Sequence, residues 1–166
     1  MMKRSQIEET HTLAVVVENK AGVLARVAGL FARRGFNIES LAVAPVDERF
    51  SRITIVVDAV SAPLDQIKKQ LDKLIDVVSI TELDAESSAL REMVLVRLDV
   101  PDEAKVADVH QLVDGFSGSV IRVRGTQMMV SLSSRPSDLD DLLEQLEPFG
   151  IEELQRTGAI AIPGIE

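Results

Sequence analysis

Two histidines, two groups of carboxylates and one serine set between glycines are the residues of this chain whose types and spacing could support a reaction. Nucleophilic catalysis needs a nucleophile, a base and a charge stabiliser within reach of one another. Residues 115–119, "GFSGS", approach a nucleophile elbow. The required Gly-x-Ser-x-Gly fails because position 119 is serine, and a helical pattern precedes it where a strand should. Gly115 and Gly118 read as turn residues between helix and strand. His11 lies in a polar leader and His110 in a helical pattern beside Gln111, where a solvated or packed imidazole accounts for each. The carboxylates Asp99, Asp102, Glu103 and Asp108, and again Asp138, Asp140, Asp141 and Glu144, could be drawn as hard-metal sites, since calcium and magnesium take oxygen ligands. Acids also gather in the first turn of a helix because they complement its positive end, by ~0.3–1 kcal/mol each. Neither group has EF-hand spacing, and no phosphate loop is present. No catalytic and no metal-binding residue is assigned.

Residues 18–41, "ENKAGVLARVAGLFARRGFNIESL", hold no reactive group, yet they can bind. The turn Asn19-Lys20-Ala21-Gly22 delivers the chain into a helix at Val23, and the first backbone N–H groups of a helix lack partners within it. With the dipole they favour an anion such as a carboxylate. Gly22 has no Cβ and admits a ligand close to the backbone. Asn19 and Asn37 add side-chain amides that can donate to a carboxylate or accept from an ammonium. With an apolar wall of Val, Leu, Ala and Ile, this describes a site for a branched aliphatic amino acid. The same residues also fit purely structural roles: Asn19 as a cap or local turn, Gly22 as a turn residue, Asn37 as a residue tolerating an unusual backbone angle after Gly35.

Composition narrows the classes further. Zero cysteines exclude disulfides, thiolate catalysis and thiolate-held metals. The formal charge of −9 opposes a phosphate backbone, and the paired Arg33 and Arg34 fall at a helix end, where cations suit the macrodipole. No run approaches the ~20 apolar residues of a membrane span, and "MMKRSQIEETHT" lacks the apolar core of a signal peptide. A cytoplasmic protein is expected.

The elements that would position these residues come as two copies of one pattern. "TLAVVVE" is a strand, and Val23, Leu24, Val27, Leu30 and Phe31 mark one face of a helix that Gly35 stops. "FNIESLAVAPV" and "SRITIVVD" are strands joined through "DERF". "SAP" opens a helix with Leu64, Ile67, Leu71, Leu74 and Ile75 as its stripe, and "DVVSITEL" is a strand. This β-α-β-β-α-β order is the split βαβ, ferredoxin-like pattern. "DAESSAL" reads as a linker, after which the order repeats. "REMVLVRLDV" is followed by a helix capped by Asp102 and carrying Val106, Val109, Leu112 and Val113. Then come "GSVIRVRG", "QMMVSLS", the helix "RPSDLDDLLEQLEPFG" and a closing strand "IEELQRTGAIAI". The expected organisation is therefore α+β: a domain over residues 10–84, a linker over 85–90, and a second ferredoxin-like domain over 91–166. The strands are apolar on both parities: Leu13, Val15 and Val17 alternate with Ala14 and Val16. A one-sided antiparallel sheet normally alternates apolar with polar, so both faces are expected to be covered, by the other half or by a second chain. Open strand edges offer a further route to pairing, and a homodimer is expected.

The wording "ENKAGVLARVAGLFARRGFNIESLAVAP" resembles the opening of an ACT domain, of the kind found in the small regulatory subunit of acetohydroxyacid synthase (acetolactate synthase). The family pattern is E-N-x-x-G-x-L-x-R-V-x-G-L-F-x-R-R-G-[FY]-N-I-x-S-L. "SRITIVVD", "QIKKQLDKLIDVVSI", "REMVLVRLDV" and "PFGIEELQRTGAIAI" also sit where that family has them, whereas "GTQMMVSLSSRPSDLDD" and "PDEAKVADVHQL" depart from it. The resemblance implies two ferredoxin-like βαββαβ domains, the first an ACT domain, and a chain with no reaction of its own. It implies a catalytic large subunit as partner, carrying thiamine diphosphate, FAD and magnesium and acting in branched-chain amino-acid synthesis. This chain would activate that partner and confer feedback inhibition by valine. The effector would sit between two ACT domains, on Asn19, Gly22, Val23 and Leu24 of one chain and Asn37 and Ile38 of its neighbour. The alternative is a free-standing ACT-domain amino-acid sensor that regulates a different enzyme.

Overall fold

A computed structural model of the chain describes residues 10–58, 63–84 and 87–165. The chain forms two units: one runs as far as Leu90 and is taken up again at Ala159, the other comprises Arg91–Gly158. In the first unit, strands β1 (Thr10–Glu18), β2 (Ile38–Pro45), β3 (Phe50–Asp58) and β4 (Val77–Leu83) form an antiparallel sheet in the order β2-β3-β1-β4. Helices α1 (Val23–Arg34) and α2 (Leu64–Leu71) complete the split βαβ pattern. Leu13 lies opposite Ile55 and Val15 opposite Ile53, and these four side chains are buried under Val23, Val27, Leu30 and Phe31 of α1 and Ile67 and Leu71 of α2. Gly35, in the left-handed region at φ 69°, closes α1 as its sequence position implied.

Helix α2 is shorter than its apolar stripe suggested. It ends at Leu71, because the backbone then turns: Leu74 N–H donates to the Leu71 carbonyl and Val77 N–H to that of Leu74. Leu74 still packs against the core from this turn, but Ile75 is 96% exposed. Ser61 and Ala62, read as the helix opening, lie outside the described residues. Leu24 also leaves the apolar face expected of it and is 41% exposed.

The second unit repeats the order. Strands β5 (Ser88–Asp99), β6 (Ser119–Arg124), β7 (Gln127–Ser134) and β8 (Ile151–Arg156) stand as β6-β7-β5-β8, with helices α3 (Glu103–Gly115) and α4 (Pro136–Leu146). Val94, Val96 and Leu98 of β5 alternate into a core shared with Met128, Val130 and Leu132 of β7 and the leucines of α4. The acids singled out in the sequence have structural work here. Asp102 caps α3, accepting the Ala104 N–H at 3.0 Å, and Asp138 in the first turn of α4 accepts the Ser134 hydroxyl at 2.7 Å. Asp140 pairs with Arg156 at 2.6 Å, and Arg156 also reaches Glu92 at 2.7 Å, whose side chain is 1% exposed. Burial alone would lower the Arg156 pKa, but the hydrogen bonds its guanidinium donates to Glu92 and Asp140 raise it.

The closing strand expected over residues 151–162 is two strands. Gly158, at φ 84°, breaks it, and β9 (Ile160–Pro163) follows. Two boundaries shift accordingly. The segment 85–90 is not wholly a linker, because β5 begins at Ser88, and residues from Ala159 onward group with the first unit although the order of strands assigned them to the second. The reason is burial. Ala161 packs with Ala14 and Leu83 on the face of the first sheet turned away from its helices, with Leu90 against them, and the Ala159 N–H donates to the buried Ser40 hydroxyl at 2.8 Å. The second apolar face of β1 is thus covered by the chain's own tail.

Two outcomes are expected. Ser40→Ala removes the acceptor of a buried N–H and should destabilise the first unit by about 1–3 kcal/mol, read as faster hydrogen exchange at Ala159. Arg156→Met leaves the Glu92 carboxylate buried without its guanidinium and should cost about 3–5 kcal/mol, read as an earlier denaturant midpoint for residues 91–158.

Candidate functional site

The turn between β1 and α1 is held from three sides. The Asn19 N–H donates to the Arg49 carbonyl at 2.8 Å, the Glu18 N–H to that of Asp76 at 2.9 Å, and the Lys20 N–H to that of Glu18 at 2.9 Å. Gly22 occupies the N-cap in the left-handed region, φ 85° and ψ −7°, with no side-chain cap. A side chain there would be strained, and its Cβ would lie 3.3 Å from Nη1 of Arg26. The first intrahelical bond runs from the Arg26 N–H to the Gly22 carbonyl at 3.0 Å. Leu24 and Ala25 precede that bond, so their N–H groups belong to the set a helix leaves unmatched. Val23 belongs to the same set, but its N–H donates to the Lys20 carbonyl at 3.3 Å. The glycine is the right residue for this cap, since a left-handed conformation costs an ordinary L-residue roughly 1–2 kcal/mol.

The six residues read as a site do not all present side chains to solvent. Asn19, Gly22 and Leu24 are exposed, whereas Val23 is buried in the core and Ile38 packs against it. A ligand at the turn would therefore meet Val23 through its backbone and Leu24 through its side chain. Asn37 is exposed and its amide nitrogen donates to the Glu39 carboxylate. Asn19, Gly22, Val23 and Leu24 stand together at the start of α1, while Asn37 and Ile38 follow its end. Twelve residues at 1.5 Å each put ~18 Å of helix between the two groups. One chain alone does not bring them into contact with one small ligand.

Two residues of this region have partners that the sequence does not indicate. The family pattern has an arginine at Arg26, and its spacing sets it off the apolar face of its helix, but neither names its partner. In the structure its Nε and Nη2 reach Oδ2 of Asp76 at 2.8 and 2.7 Å, and Asp76 is buried. The Asp76 carbonyl also accepts from Glu18, so one residue ties the end of β1 to the first turn of α1. Fifty residues separate the pair in sequence, so no local spacing could have indicated it. Lys20 adds a further cation at the turn. A hydrogen bond to the Glu18 carboxylate, and then its charge, raise the Lys20 pKa. His110 is exposed on α3, and His11 lies 3.7 Å from a Glu82 carboxylate oxygen. Among the described residues no three of His, Cys, Asp or Glu gather as a metal site, and no helix is long and apolar enough to cross a membrane.

Comparison with known proteins gives concordant matches over both units. Residues 13–79 match the family described as AHAS small subunit-like ACT domain, and residues 91–164 the family described as small subunit of acetolactate synthase. The acetolactate synthase small subunit of Mycobacterium bovis is 47% identical over 155 residues, covering 93% of this chain and 92% of its own length. That of Mycolicibacterium smegmatis is 42% identical over 154 residues, covering 92% and 90%. The crystal structure of the acetolactate synthase small subunit from Thermotoga maritima superposes with a TM-score of 0.85 at 33% identity, over 95% of this chain and 99% of the other.

Proposed function

Because the chain belongs to the acetolactate synthase small-subunit family, we propose that it activates the catalytic subunit of acetohydroxyacid synthase and makes it subject to feedback inhibition by valine. The observation that carries the valine reading is the glycine-capped start of α1, with Leu24 and Ala25 ahead of the first helical bond and Leu24 exposed beside them. The effector's carboxylate accepts from those N–H groups, with the positive end of the helix dipole behind them. Its isopropyl group lies against Leu24. Its ammonium donates to the side-chain oxygen of Asn37 in a second chain, the oxygen left over when the amide nitrogen donates to Glu39. Catalysis stays with the partner subunit, which supplies thiamine diphosphate, FAD and magnesium and acts in branched-chain amino-acid synthesis in the cytoplasm.

The ~18 Å of α1 between the two half-sites supports a homodimer of ACT domains as the binding unit. An effector held by two chains favours the dimer arrangement that brings both half-sites to it, by its difference in affinity for the two arrangements. A coupling of ~1–3 kcal/mol corresponds to a ~5- to 150-fold change in linked affinity, enough for feedback without any covalent step.

Reconstitution tests this. Acetolactate formation by the large subunit should rise when this chain is added and fall again as valine is titrated in; a chain that alters neither rate nor valine response is not its regulatory subunit. Gly22→Asp would set a carboxylate against the same backbone donors and within reach of Arg26. The valine concentration for half-inhibition should rise about tenfold or more, the equivalent of ~1.4 kcal/mol, while activation persists. Gly22→Asn, which tolerates the left-handed backbone comparably but carries no charge, should lose less. Unchanged valine inhibition in Gly22→Asp would place the site elsewhere.

A further inference from the structure

The sheet of the second unit has one face toward α3 and α4 and one face free of them. The free face is set by parity: with Val94, Val96 and Leu98 buried, Met93, Leu95, Arg97 and Asp99 of β5 point the other way. Register carries this across the sheet, since Arg97 stands opposite Glu153 on β8 and Met129 on β7, and Met129 stands opposite Arg122 on β6. One row perpendicular to the strands therefore reads Glu153, Arg97, Met129, Arg122. Met93, Leu95 and Met129 are exposed near the middle of this face.

Charge divides the face in two. On the β5–β8 side Arg97 pairs with Glu152 at 3.0 Å and with Glu153 at 2.8 Å, and Asp99 stands on the same parity. Arg91 of β5 shares that parity too, and three carboxylates against two guanidiniums leave that side net acidic. On the β6 side Arg122 and Arg124 have no ion-pair partner among the described residues, so that side is basic. A two-fold axis lying in the plane between two copies and running along the strands places β6 of one copy over β8 of the other. Height along the strand is unchanged by that rotation, so Arg122 of one copy comes to the level of Glu153 of the other. An axis across the strands would instead set β6 over β6, arginine against arginine.

We propose that this face is a self-complementary interface with a second copy of the chain, packed sheet on sheet about a two-fold axis parallel to the strands, with Arg122 and Arg124 of each copy facing Glu152 and Glu153 of the other. Met93, Leu95 and Met129 lie beside the axis and lose water there, and the charges at either edge choose the orientation. The contact involves the second unit alone and does not rest on the effector reading.

The chain has no cysteine, so introduced ones report cleanly. Full-length chains carrying Arg122→Cys and Glu153→Cys, distinguished by tag length, are co-expressed and treated with a short bismaleimide able to bridge the ~10 Å between packed sheets. A covalent product of mixed mass is expected, with none from either chain alone. Adding Arg124→Glu to the first chain should lower the yield several-fold. A second pair, Arg124→Cys with Glu152→Cys, gives an independent reading should the first perturb folding. A covalent dimer from the Arg122→Cys chain alone overturns the axis. Absence of mixed product from both pairs, when all the thiols label and circular dichroism is native, overturns the interface.

Discussion

A four-stranded sheet with both its helices on one side has a second side to hide, and this constraint organises the chain. Strand β1 has apolar side chains on both parities, so leaving its outer face in water would expose Ala14 and Val16 together with Leu83 of β4. The chain meets the constraint in the first unit with its own last residues: Ala159 and Ala161 are buried against that face, small enough to let the backbone of β9 lie close to the sheet. Gly164 continues the close approach, since a Cβ there would run into the Ser87 carbonyl. The sheet of the second unit differs in composition on its free face, where serines, arginines and glutamates interrupt the apolar residues. That mixture suits a surface covered by a partner copy rather than by the chain itself.

The same architecture sets the logic of the candidate site. A helix that connects β1 to β2 across the sheet has its N-terminus at one end and delivers the next strand at the other. Donors at the start of α1 and the amide of Asn37 therefore cannot converge within a protomer. A small ligand that needs both must recruit a second chain, and a site built that way reports on assembly as well as on occupancy. The Arg26–Asp76 pair bears on this because it fixes the turn before any ligand arrives. A turn already held by the Arg49, Asp76 and Glu18 carbonyls loses little freedom on binding, which keeps the free energy of binding available for choosing between arrangements.

Much of this was legible in the sequence, for physical reasons that also mark where legibility stopped. Element type and order follow from local periodicity, and α1 begins at Val23 and stops at Gly35 as read. The glycine turn could be singled out because the backbone geometry it permits is a local property. Ile75 was misplaced because its spacing continues the stripe of α2 past the point where the backbone turns for β4. The tail was misplaced because repeat order argued for one closing strand, and only residues 157–159, with Gly158 in the left-handed region, separate β8 from β9. The long-range pairs were out of reach: Ser40 with Ala159 spans 119 residues and Arg156 with Glu92 spans 64. Nothing near either partner distinguishes it from an ordinary surface serine or arginine.

The tail changes what can be said about separable functions. If the first unit ended near residue 84, it could be cut free of the rest without loss. Its outer face instead depends on Ala159 and Ala161, which come after all of Arg91–Gly158 in the chain. The Arg156–Glu92–Asp140 cluster and the Gly158 N–H donating to Glu92 fix the point from which that tail departs. Ser40, which holds the tail, lies on β2 two residues beyond Ile38. The strand that begins at one half of the candidate site is thus bonded directly to the far end of the chain. Any shift of β2 must either carry the Ala159 bond with it or break a buried hydrogen bond. Removing the tail should therefore lower first-unit stability and loosen β2 together.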